Sequence, residues 1–164
     1  MNMNYCPECG KKLRKRAQRN TDPAPYCDLC QQFRFPIFNT AVAVVLLNAE
    51  RTHTLLIRQY GESKRVLVAG YIDKGETAEK AVAREVREEL GMTIQSAHFL
   101  SSHYYPPSET LMLNYTAIVS ERIPIPNWEV DSWEWIPVED ALTSVEPGDI
   151  AEDFLRDYEE YRSK

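Results

Sequence analysis

Residues 84–90 read REVREEL and place three carboxylates within a turn and a half of a predicted helix. At 100° per residue, Glu85, Glu88 and Glu89 fall within one arc of about 100°. Like charges this close repel one another, and the repulsion grows when the groups are partly buried. Carboxylates held together in this way suit a hard divalent cation such as Mg²⁺ or Mn²⁺. A solvated helix face is the ordinary alternative for a charge-rich run.

The other residues of this helix favour the metal site. Its apolar stripe borders the three carboxylates and comprises Val82, Val86 and Leu90. Its basic residues are predicted to lie on the far side: Lys80, Arg84 and Arg87. The carboxylates therefore lie at the edge of the buried face, where an unneutralised cluster is most costly.

Glycines lie in the chain on both sides of the helix. Gly70 and Gly75 bracket a tight loop, DKGET, which can bring the start of the helix near a phosphate. Gly91 can end the helix in the left-handed conformation. The stretch thus combines potential metal ligands with a potential phosphate-binding loop.

All four cysteines lie near the N-terminus, in CPEC (6–9) and CDLC (27–30). Two C-x-x-C pairs with seventeen residues between them match zinc-ribbon spacing, because each pair presents two thiolates to one tetrahedral site. The predicted zinc ligands are Cys6, Cys9, Cys27 and Cys30. Four protein ligands leave no position for water, so this zinc is expected to be structural. Two disulfides or a redox C-x-x-C are the alternatives.

The charge of the chain is unevenly distributed. Residues 1–38 hold seven Lys/Arg against three Asp/Glu, whereas residues 39–164 hold twelve against twenty-two. An acidic domain repels phosphates, so phosphate chemistry there requires divalent cations to intervene. The basic run KKLRKRAQRN (11–20) is predicted to be a solubilising loop. A nucleic-acid contact is the less favoured interpretation, because few aromatic residues interleave with the charge.

The composition, 43% hydrophobic and 27% charged, is typical of a globular protein. The longest apolar runs, 41–47 and 66–72, are far too short to span a bilayer. The first ten residues contain no apolar segment resembling a signal peptide. We therefore expect a cytoplasmic protein with no membrane partner.

Residues 38–164 alternate between strand and helix patterns. Strands are predicted at 41–47, 53–60, 65–71, 96–105, 111–120 and 132–138. Helices are predicted at 77–90 and at 149–161, the second with an apolar stripe of Ile150, Phe154, Leu155, Tyr158 and Tyr161. The tryptophans are expected to be packing residues: Trp128, Trp133 and Trp135. The pattern predicts one α/β domain, a mixed sheet with helices packed on it, preceded by a zinc ribbon at residues 1–37.

The stretch from Gly70 to Met92 resembles the Nudix box, G-x5-E-x7-R-E-U-x-E-E-x-G-U, in which U is a bulky aliphatic residue. Every specified position is filled without a gap, by Gly70, Glu76, Arg84, Glu85, Val86, Glu88, Glu89, Gly91 and Met92. The resemblance implies the α/β/α sandwich of Nudix hydrolases. These enzymes cleave nucleoside diphosphates linked to another moiety, by attack of water on phosphorus.

The same resemblance implies a role for each charged residue of the box. Glu85, Glu88 and Glu89 would hold Mg²⁺ or Mn²⁺. Arg84 would orient the glutamates through ion pairs, and Glu76 would brace the loop. The ions would neutralise the diphosphate and lower the pKa of the attacking water.

A zinc ribbon directly before a Nudix domain is similar to the NADH pyrophosphatase group, which implies a homodimer. That group carries S-Q-P-W-P-F-P-x-S-L-M after the box. The corresponding stretch, SHYYPPSETLM (102–112), keeps Ser102, Pro106, Leu111 and Met112, with Thr110 for the second serine. It departs from the pattern at His103, Tyr104, Tyr105, Pro107 and Ser108.

Further elements of that group resemble segments of this chain. Its E-I/L-x-E-A-x-W-F element looks like Glu129-Val130 with Trp135-Ile136, which makes Glu129 a further metal ligand or base. Its A-G-F and S-I-A elements resemble residues 69–71 and 149–151. Tyr71 is therefore expected to stack on a base. The candidate substrate-binding residues are Tyr71, Gly70, Phe35, His103 and Ala151. The alternatives are a core aromatic at Tyr71 and a solvated loop residue at Glu129. His103 is expected to be a surface or pocket-wall residue, with a metal ligand as the alternative.

These features predict a metal-dependent pyrophosphohydrolase. The favoured substrate is NADH or an NAD-like dinucleotide, cleaved to NMN(H) and AMP, with NAD-capped RNA as a variant. ADP-ribose or another nucleoside diphosphate derivative is the alternative substrate. The alternative of a different class is a nucleic-acid-binding zinc ribbon protein whose Nudix domain senses a nucleotide. The intact set of carboxylates argues against that alternative.

Overall fold

The computed structural model describes residues 3–18 and 21–164. The chain divides into two compact units, Met1–Phe38 and Asn39–Lys164, one residue beyond the boundary expected from the sequence. Each unit is described by itself.

The first unit contains a three-stranded antiparallel sheet in the order β1-β2-β3. Its strands are Arg14–Gln18 (β1), Thr21–Cys27 (β2) and Gln32–Phe33 (β3). Residues 11–20 were predicted to form a loop, and this prediction is wrong where β1 forms. Residues 19 and 20 lie outside the described residues. The guanidinium groups of Arg14 and Arg16 lie over the ring of Tyr26, and Arg14 pairs with Asp28 at 2.7 Å. These contacts pair the exposed basic side chains of β1 with the aromatic ring and the carboxylate of β2 and its following turn.

The second unit is built on a six-stranded mixed sheet. Its strands are Asn39–Leu47 (β4), His53–Gln59 (β5), Val68–Tyr71 (β6), Ile94–Tyr105 (β7), Thr110–Val119 (β8) and Val130–Pro137 (β9). The order is β7-β8-β4-β5-β9, and β6 also pairs with β4. Strands β4 and β8 are parallel, whereas the other pairs are antiparallel. The predicted mixed sheet is confirmed. The strand expected from Arg65 begins only at Val68. Val66 pairs with Ile57 of β5 and lies outside β6.

Two long helices and one short helix complete this unit: Ala78–Leu90 (α1), Val138–Ala141 (α2) and Ile150–Arg162 (α3). Thr77 caps the start of α1 by accepting a hydrogen bond from the Lys80 N–H, and Gly91 ends it with φ at 64°. Asp149 caps α3 in the same way as Thr77 caps α1. Among the described residues, no helix has the length and apolar character that crossing a membrane requires.

Strand β4 is buried on both faces, because successive side chains point to opposite sides of a sheet. One face carries Val42, Val44 and Leu46, which pack in a core with Val82, Val86 and Leu90 of α1. The other carries Ala43, Val45 and Leu47, which pack in a core with Phe154, Leu155 and Tyr158 of α3. The continuous apolar run 41–47 follows from this double burial. The predicted α/β/α sandwich is confirmed, although Tyr161 of the expected α3 stripe is half-exposed.

Candidate functional site

Arg84 donates hydrogen bonds to carboxylates both in the loop before α1 and within α1. Its Nε and Nη2 atoms each donate to one oxygen of Glu76 at 3.0 Å. Its Nη1 atom donates to Glu85 at 2.7 Å and to Glu88 at 3.2 Å, and Nη2 also donates to the carbonyl of Tyr71 at 2.8 Å. The prediction that Arg84 lies on the far side of the helix is therefore wrong. Its long side chain reaches back across the helix to satisfy several carboxylates at once.

Glu76 connects the loop before α1 to Arg84. Besides the guanidinium, its carboxylate accepts the backbone N–H of Asp73 at 3.1 Å. Hydrogen bonds from Arg84, and then the one from Asp73, lower the pKa of Glu76 although partial burial opposes them. Gly75 completes the turn with φ at 88°, a conformation that side chains rarely adopt. Glu76 therefore connects the backbone of the loop to Arg84, which agrees with the role that the resemblance implies.

Glu89 is the most buried carboxylate of the group, at 2% exposure. Its side chain accepts a hydrogen bond from Gln59 Nε2 at 2.9 Å, and a backbone hydrogen bond from Ala69 also favours its charged form. Burial and the nearby charges of Glu85 and Glu129 raise the pKa of Glu89 to about 8. Burial also raises the pKa of Glu85, against the opposing effect of Arg84. Carboxylates that repel each other in a partly desolvated site need either protons or a cation.

Glu129 reaches the same site from the loop before β9. The loop is tied to the end of α1, where the Asn127 N–H donates to the Glu89 carbonyl at 3.0 Å. The Asn127 side chain then accepts the Glu129 N–H at 2.9 Å. The backbone carbonyl of Glu129 accepts the Tyr60 N–H at 3.4 Å. Glu129 is partly buried, so the alternative of a freely solvated loop residue is not supported.

These groups line a common cavity of about 450 Å³. Its wall includes the carboxylates of Glu85, Glu88, Glu89 and Glu129. Arg84 donates hydrogen bonds to two of these carboxylates, Glu85 and Glu88. An all-oxygen donor set with a buried, repelled carboxylate fits Mg²⁺ or Mn²⁺, which bind through a few carboxylates and water.

A second cavity, of about 300 Å³, adjoins the first. The two share Gln59, Ala69, Gly70 and Tyr71 in their walls. Apolar side chains dominate the second cavity, among them Val66, Leu67, Met112 and Phe154. Tyr71 is 57% exposed, so the alternative of a core aromatic is wrong. Ala151 lines this cavity as expected.

Polar residues at the second cavity were only partly expected. Lys64 and Asp149 line it and form an ion pair at 3.0 Å. From the stretch 102–112, Tyr105, Ser108, Thr110 and Met112 contribute to the wall. Nothing in the spacing of the sequence indicates Lys64, which precedes β6 in a loop.

Two candidate substrate residues have other surroundings. His103 is outside the residues that line the two cavities. Its Nε2 atom bonds with Asp157 at 2.7 Å, and its ring packs edge-on against Phe154. Phe35 belongs to the first unit, where its side chain is exposed. A substrate contact by either residue stays a prediction.

The tryptophans divide into two kinds. Trp133 and Trp135 are partly buried against the core beneath α1, as expected. Trp128 is 82% exposed, so its assignment as a packing residue is wrong. The loop that carries it lies outside the sheet, and its neighbours along the chain, Asn127 and Glu129, line the carboxylate cavity.

The four cysteine sulfurs lie within 4.8 Å of one another. Cys6 Sγ is 3.9 Å from Cys30 Sγ, and Cys9 Sγ is 3.5 Å from Cys27 Sγ. All four cysteines are free thiols. Zinc–sulfur bonds of about 2.3 Å in a tetrahedron put sulfurs about 3.8 Å apart, so the arrangement fits one zinc ion.

Hydrogen bonds to Cys6 favour the thiolate form that a metal requires, whereas the contact with Cys9, followed by burial, raises the pKa of Cys30. Arg34 Nε donates to Cys6 Sγ at 3.3 Å, and the Cys30 N–H donates to Cys27 Sγ at 3.4 Å. Burial raises the pKa of Cys6. Backbone hydrogen bonds from Glu8 and Cys9, together with Arg34, outweigh burial and lower this pKa to about 6. Such donors are the usual surroundings of metal-bound ligands.

The chain matches the NUDIX domain family over residues 38–157. The NAD-capped RNA hydrolase NudC of Stutzerimonas stutzeri is 28% identical over 137 residues, covering 82% of this chain and 48% of the relative. The NAD-capped RNA hydrolase ndx-9 of Caenorhabditis elegans is 28% identical over 148 residues, covering 85% and 39%. NudC of Escherichia coli strain SMS-3-5 is 27% identical over 157 residues, covering 93% and 59%. The chain thus spans about half the length of these curated relatives.

Solved structures show the same fold. A NUDIX hydrolase from Nitrosomonas europaea superposes with a TM-score of 0.68 at 19% identity, covering 98% of this chain and 93% of that one. The NUDIX domain of Shewanella oneidensis NrtR, complexed with ADP ribose, superposes with a TM-score of 0.63 at 21% identity. That match covers 84% of this chain and 92% of the other.

Proposed function

The chain belongs to the Nudix family, and from that premise we propose that it is a divalent-metal-dependent pyrophosphohydrolase of nucleotides. One observation carries the proposal: four carboxylates and Arg84 line one cavity, and an apolar cavity with an exposed tyrosine adjoins it. The first cavity suits a metal-bound diphosphate, and the second suits a planar ring.

The favoured substrate is NADH or an NAD-like dinucleotide, including the NAD cap of an RNA. Two observations support it. The relatives described above are NAD-capped RNA hydrolases, although at 27–28% identity and over only part of their length. Tyr71 lies between the two cavities, where its ring can stack on a base while the diphosphate lies at the carboxylates.

Glu85, Glu88, Glu89 and Glu129 would hold the divalent ions. When bound, such ions neutralise the diphosphate, polarise its oxygens and lower the pKa of water. Arg84 keeps Glu76, Glu85 and Glu88 in a fixed arrangement through four hydrogen bonds. Glu129 lies on the wall of the cavity, from which its carboxylate can accept the proton of the attacking water.

The reaction forms one bond to phosphorus and breaks another. The oxygen of water bonds to one phosphorus of the diphosphate, and the bridging P–O bond breaks. Each half leaves as a phosphate monoester, so that NADH and water give NMNH and AMP. The protein supplies positioning and charge stabilisation, with no covalent nucleophile.

Cys6, Cys9, Cys27 and Cys30 hold a structural zinc ion in the same proposal. Their four sulfurs leave no position for water or substrate, so this ion takes no part in hydrolysis. A homodimer, expected from the resemblance alone, is the proposed assembly and can be measured by light scattering.

A product screen tests the proposal. The purified protein is incubated with NADH, NAD⁺, ADP-ribose, a dinucleoside polyphosphate and NAD-capped RNA, with Mg²⁺ or Mn²⁺, and the products are separated by chromatography. We expect AMP and NMN(H) from the dinucleotides, and none without a divalent ion. Turnover of ADP-ribose alone supports the alternative substrate. Binding without turnover of any compound supports the nucleotide-sensing alternative and contradicts the proposal.

A further inference from the structure

Two exposed aromatic residues lie beside the carboxylate cavity and have no part in the chemistry described so far. Trp128 is 82% exposed, and Tyr60 is 66% exposed. Their ring centroids are 6.3 Å apart, and the ring planes are inclined by 64°. This inclination differs from face-to-face stacking, in which each ring would cover the other. In such an edge-to-face arrangement one ring meets a face of the other with its edge, and the high exposure of both side chains leaves ring surface accessible to a third ring.

The exposure of Trp128 is unusual for its residue type. Tryptophan is highly buried on average, since a large apolar surface gains most from leaving water. The chain buries its other tryptophans in the usual way, because Trp133 and Trp135 pack against the core. An exposed aromatic ring next to a cleft is typical of a site that binds a planar ligand.

The loop holds Trp128 at a defined place relative to the carboxylates. Backbone N–H groups of Ile125 and Asn127 donate to the carbonyls of Leu90 and Glu89, at 2.8 Å and 3.0 Å. Both acceptors belong to the end of α1. Trp128 therefore lies between two residues that line the cavity, Asn127 and Glu129. The backbone of Asn127 is attached to the helix, and the backbone carbonyl of Glu129 accepts the Tyr60 N–H. A ring presented in this way needs little ordering when a ligand binds.

Tyr60 is held in place at some conformational cost. Its φ is 55°, in the left-handed region, which is uncommon for a bulky side chain. Its N–H donates to the Glu129 carbonyl at 3.4 Å. Unusual backbone conformations persist where the surroundings enforce them, and they concentrate at functional sites.

We propose that Trp128 and Tyr60 form a second ring-binding site, on which the other base of a dinucleotide substrate stacks. This inference rests on the proposed function, because only a substrate with two rings needs two such sites. Tyr71 and the apolar cavity receive one ring, and the diphosphate lies at the carboxylates. The second nucleoside then continues along the same cavity, whose wall also contains Tyr60. Stacking accepts any base, so the site takes adenine, nicotinamide or the first base of a capped RNA.

Steady-state kinetics on NADH give the first test, with three variants. Trp128→Ala removes the ring, Trp128→Phe keeps a ring, and Ile123→Ala removes an exposed apolar side chain from the same loop as a control. Loss of one stacked base is expected to raise KM about tenfold in Trp128→Ala. We expect kcat to stay within about twofold, since the ring does not touch phosphorus. Trp128→Phe and Ile123→Ala are expected to resemble the wild type. An unchanged KM in Trp128→Ala, or an equal rise in Ile123→Ala, contradicts the inference.

Fluorescence gives a second test that does not depend on turnover. A methylene-bridged NAD analogue resists hydrolysis, and its binding to the wild-type protein with Mg²⁺ is measured by calorimetry. Acrylamide quenches exposed tryptophans, so it reports mainly on Trp128 in the free protein. We expect the analogue to protect Trp128 from acrylamide, and we expect no such protection in Trp128→Phe.

The outcomes distinguish this inference from the proposed function. Calorimetric binding without protection of Trp128 overturns the ring site and leaves the proposed function standing. Absence of both binding and turnover of dinucleotides overturns the proposed function, and the ring site with it. If acrylamide fails to quench Trp128 in the free protein, a second copy of the chain covers the loop. That result also overturns the ring site.

Discussion

Glu88 and Glu89 are neighbours in the chain with different surroundings. Glu89 is enclosed and accepts a hydrogen bond from Gln59, whereas Glu88 is exposed and accepts a hydrogen bond from Arg84 at 3.2 Å. A charge change at Glu89 therefore affects both the core and the site, which confounds its interpretation. A charge change at Glu88 affects the site alone and allows a cleaner experiment.

Glu88→Gln is expected to abolish turnover and to leave the fold intact. The amide keeps the shape of the side chain but removes one charged ligand, and losses of this kind usually reach several kcal/mol in the barrier. The measurements are kcat on NADH and the thermal unfolding midpoint. Glu160→Gln, an exposed glutamate on α3, is the matched control. Near-normal kcat in a folded Glu88→Gln protein removes these carboxylates from the mechanism.

Tyr71→Ala is expected to weaken the use of dinucleotides more than the binding of metal. Stacking on a base contributes about 1–3 kcal/mol, so kcat/KM on NADH should fall roughly ten- to hundredfold. The Mn²⁺ concentration giving half-maximal activity should change little. Tyr104→Ala is the control, because Tyr104 is 54% exposed on β7 and outside the cavity wall. If kcat/KM of Tyr71→Ala equals that of the control, the base lies elsewhere.

At the scale of elements, strand β6 and helix α1 approach each other closely at Gly70. A methyl group built on Gly70 would overlap the carboxylate of Glu85, so glycine is the side chain for which there is room. The φ of Gly70 is outside the left-handed region, so the requirement is for space and not for backbone freedom. The conflict involves the end of a flexible side chain, which can move while the strand and the helix stay in place.

Gly70→Ala is therefore expected to displace Glu85 and lower kcat at least about tenfold, with a small change in unfolding temperature. A double-mutant cycle with Glu85→Asp tests the cause. Aspartate is one methylene shorter and leaves room for the methyl group. Gly70→Ala should then have less effect in the Glu85→Asp background than in the wild type. Fully additive effects contradict displacement of Glu85 as the mechanism.

On the scale of the whole molecule, the chain carries two kinds of candidate metal ligands in two separate units. The first unit offers four sulfurs within 4.8 Å of one another, and the second offers glutamate oxygens around a cavity. A closed thiolate site releases zinc slowly, and zinc loss unfolds small domains of this kind. Carboxylates with water in the coordination sphere exchange Mg²⁺ or Mn²⁺ freely.

Brief EDTA treatment is expected to stop hydrolysis, and added Mg²⁺ or Mn²⁺ alone should restore it. Zinc should remain at about one ion per chain throughout, as counted by elemental analysis. Prolonged treatment with a stronger chelator should remove the zinc and unfold the ribbon. Recovery of activity only with added zinc contradicts the division into structural and catalytic metals. Absence of zinc from the purified protein contradicts it as well.

The sequence by itself was sufficient wherever the position of a candidate site residue depends on local spacing. The helical period puts Glu85, Glu88 and Glu89 on one arc, and the structure places all three on one cavity wall. The cysteine pairs likewise set the spacing of four sulfurs, which the structure brings together. The mixed α/β sheet followed from hydrophobic patterns of similarly short range.

Only the tertiary structure decided which distant residues join these local groups. Gln59 meets Glu89 because β5 ends beside α1, a contact between residues thirty positions apart. The direction of the Arg84 side chain depended on its length and on partners outside its own helix. A helical projection shows only the angle at which each residue leaves the helix, so it gives neither. Trp128 was expected to be a packing residue because tryptophan is large and apolar. Its exposure was decided by a loop whose backbone hydrogen bonds go to α1, which directs the ring outward from the core. Such contacts arise from the packing of separate elements, and local periodicity carries no information about them.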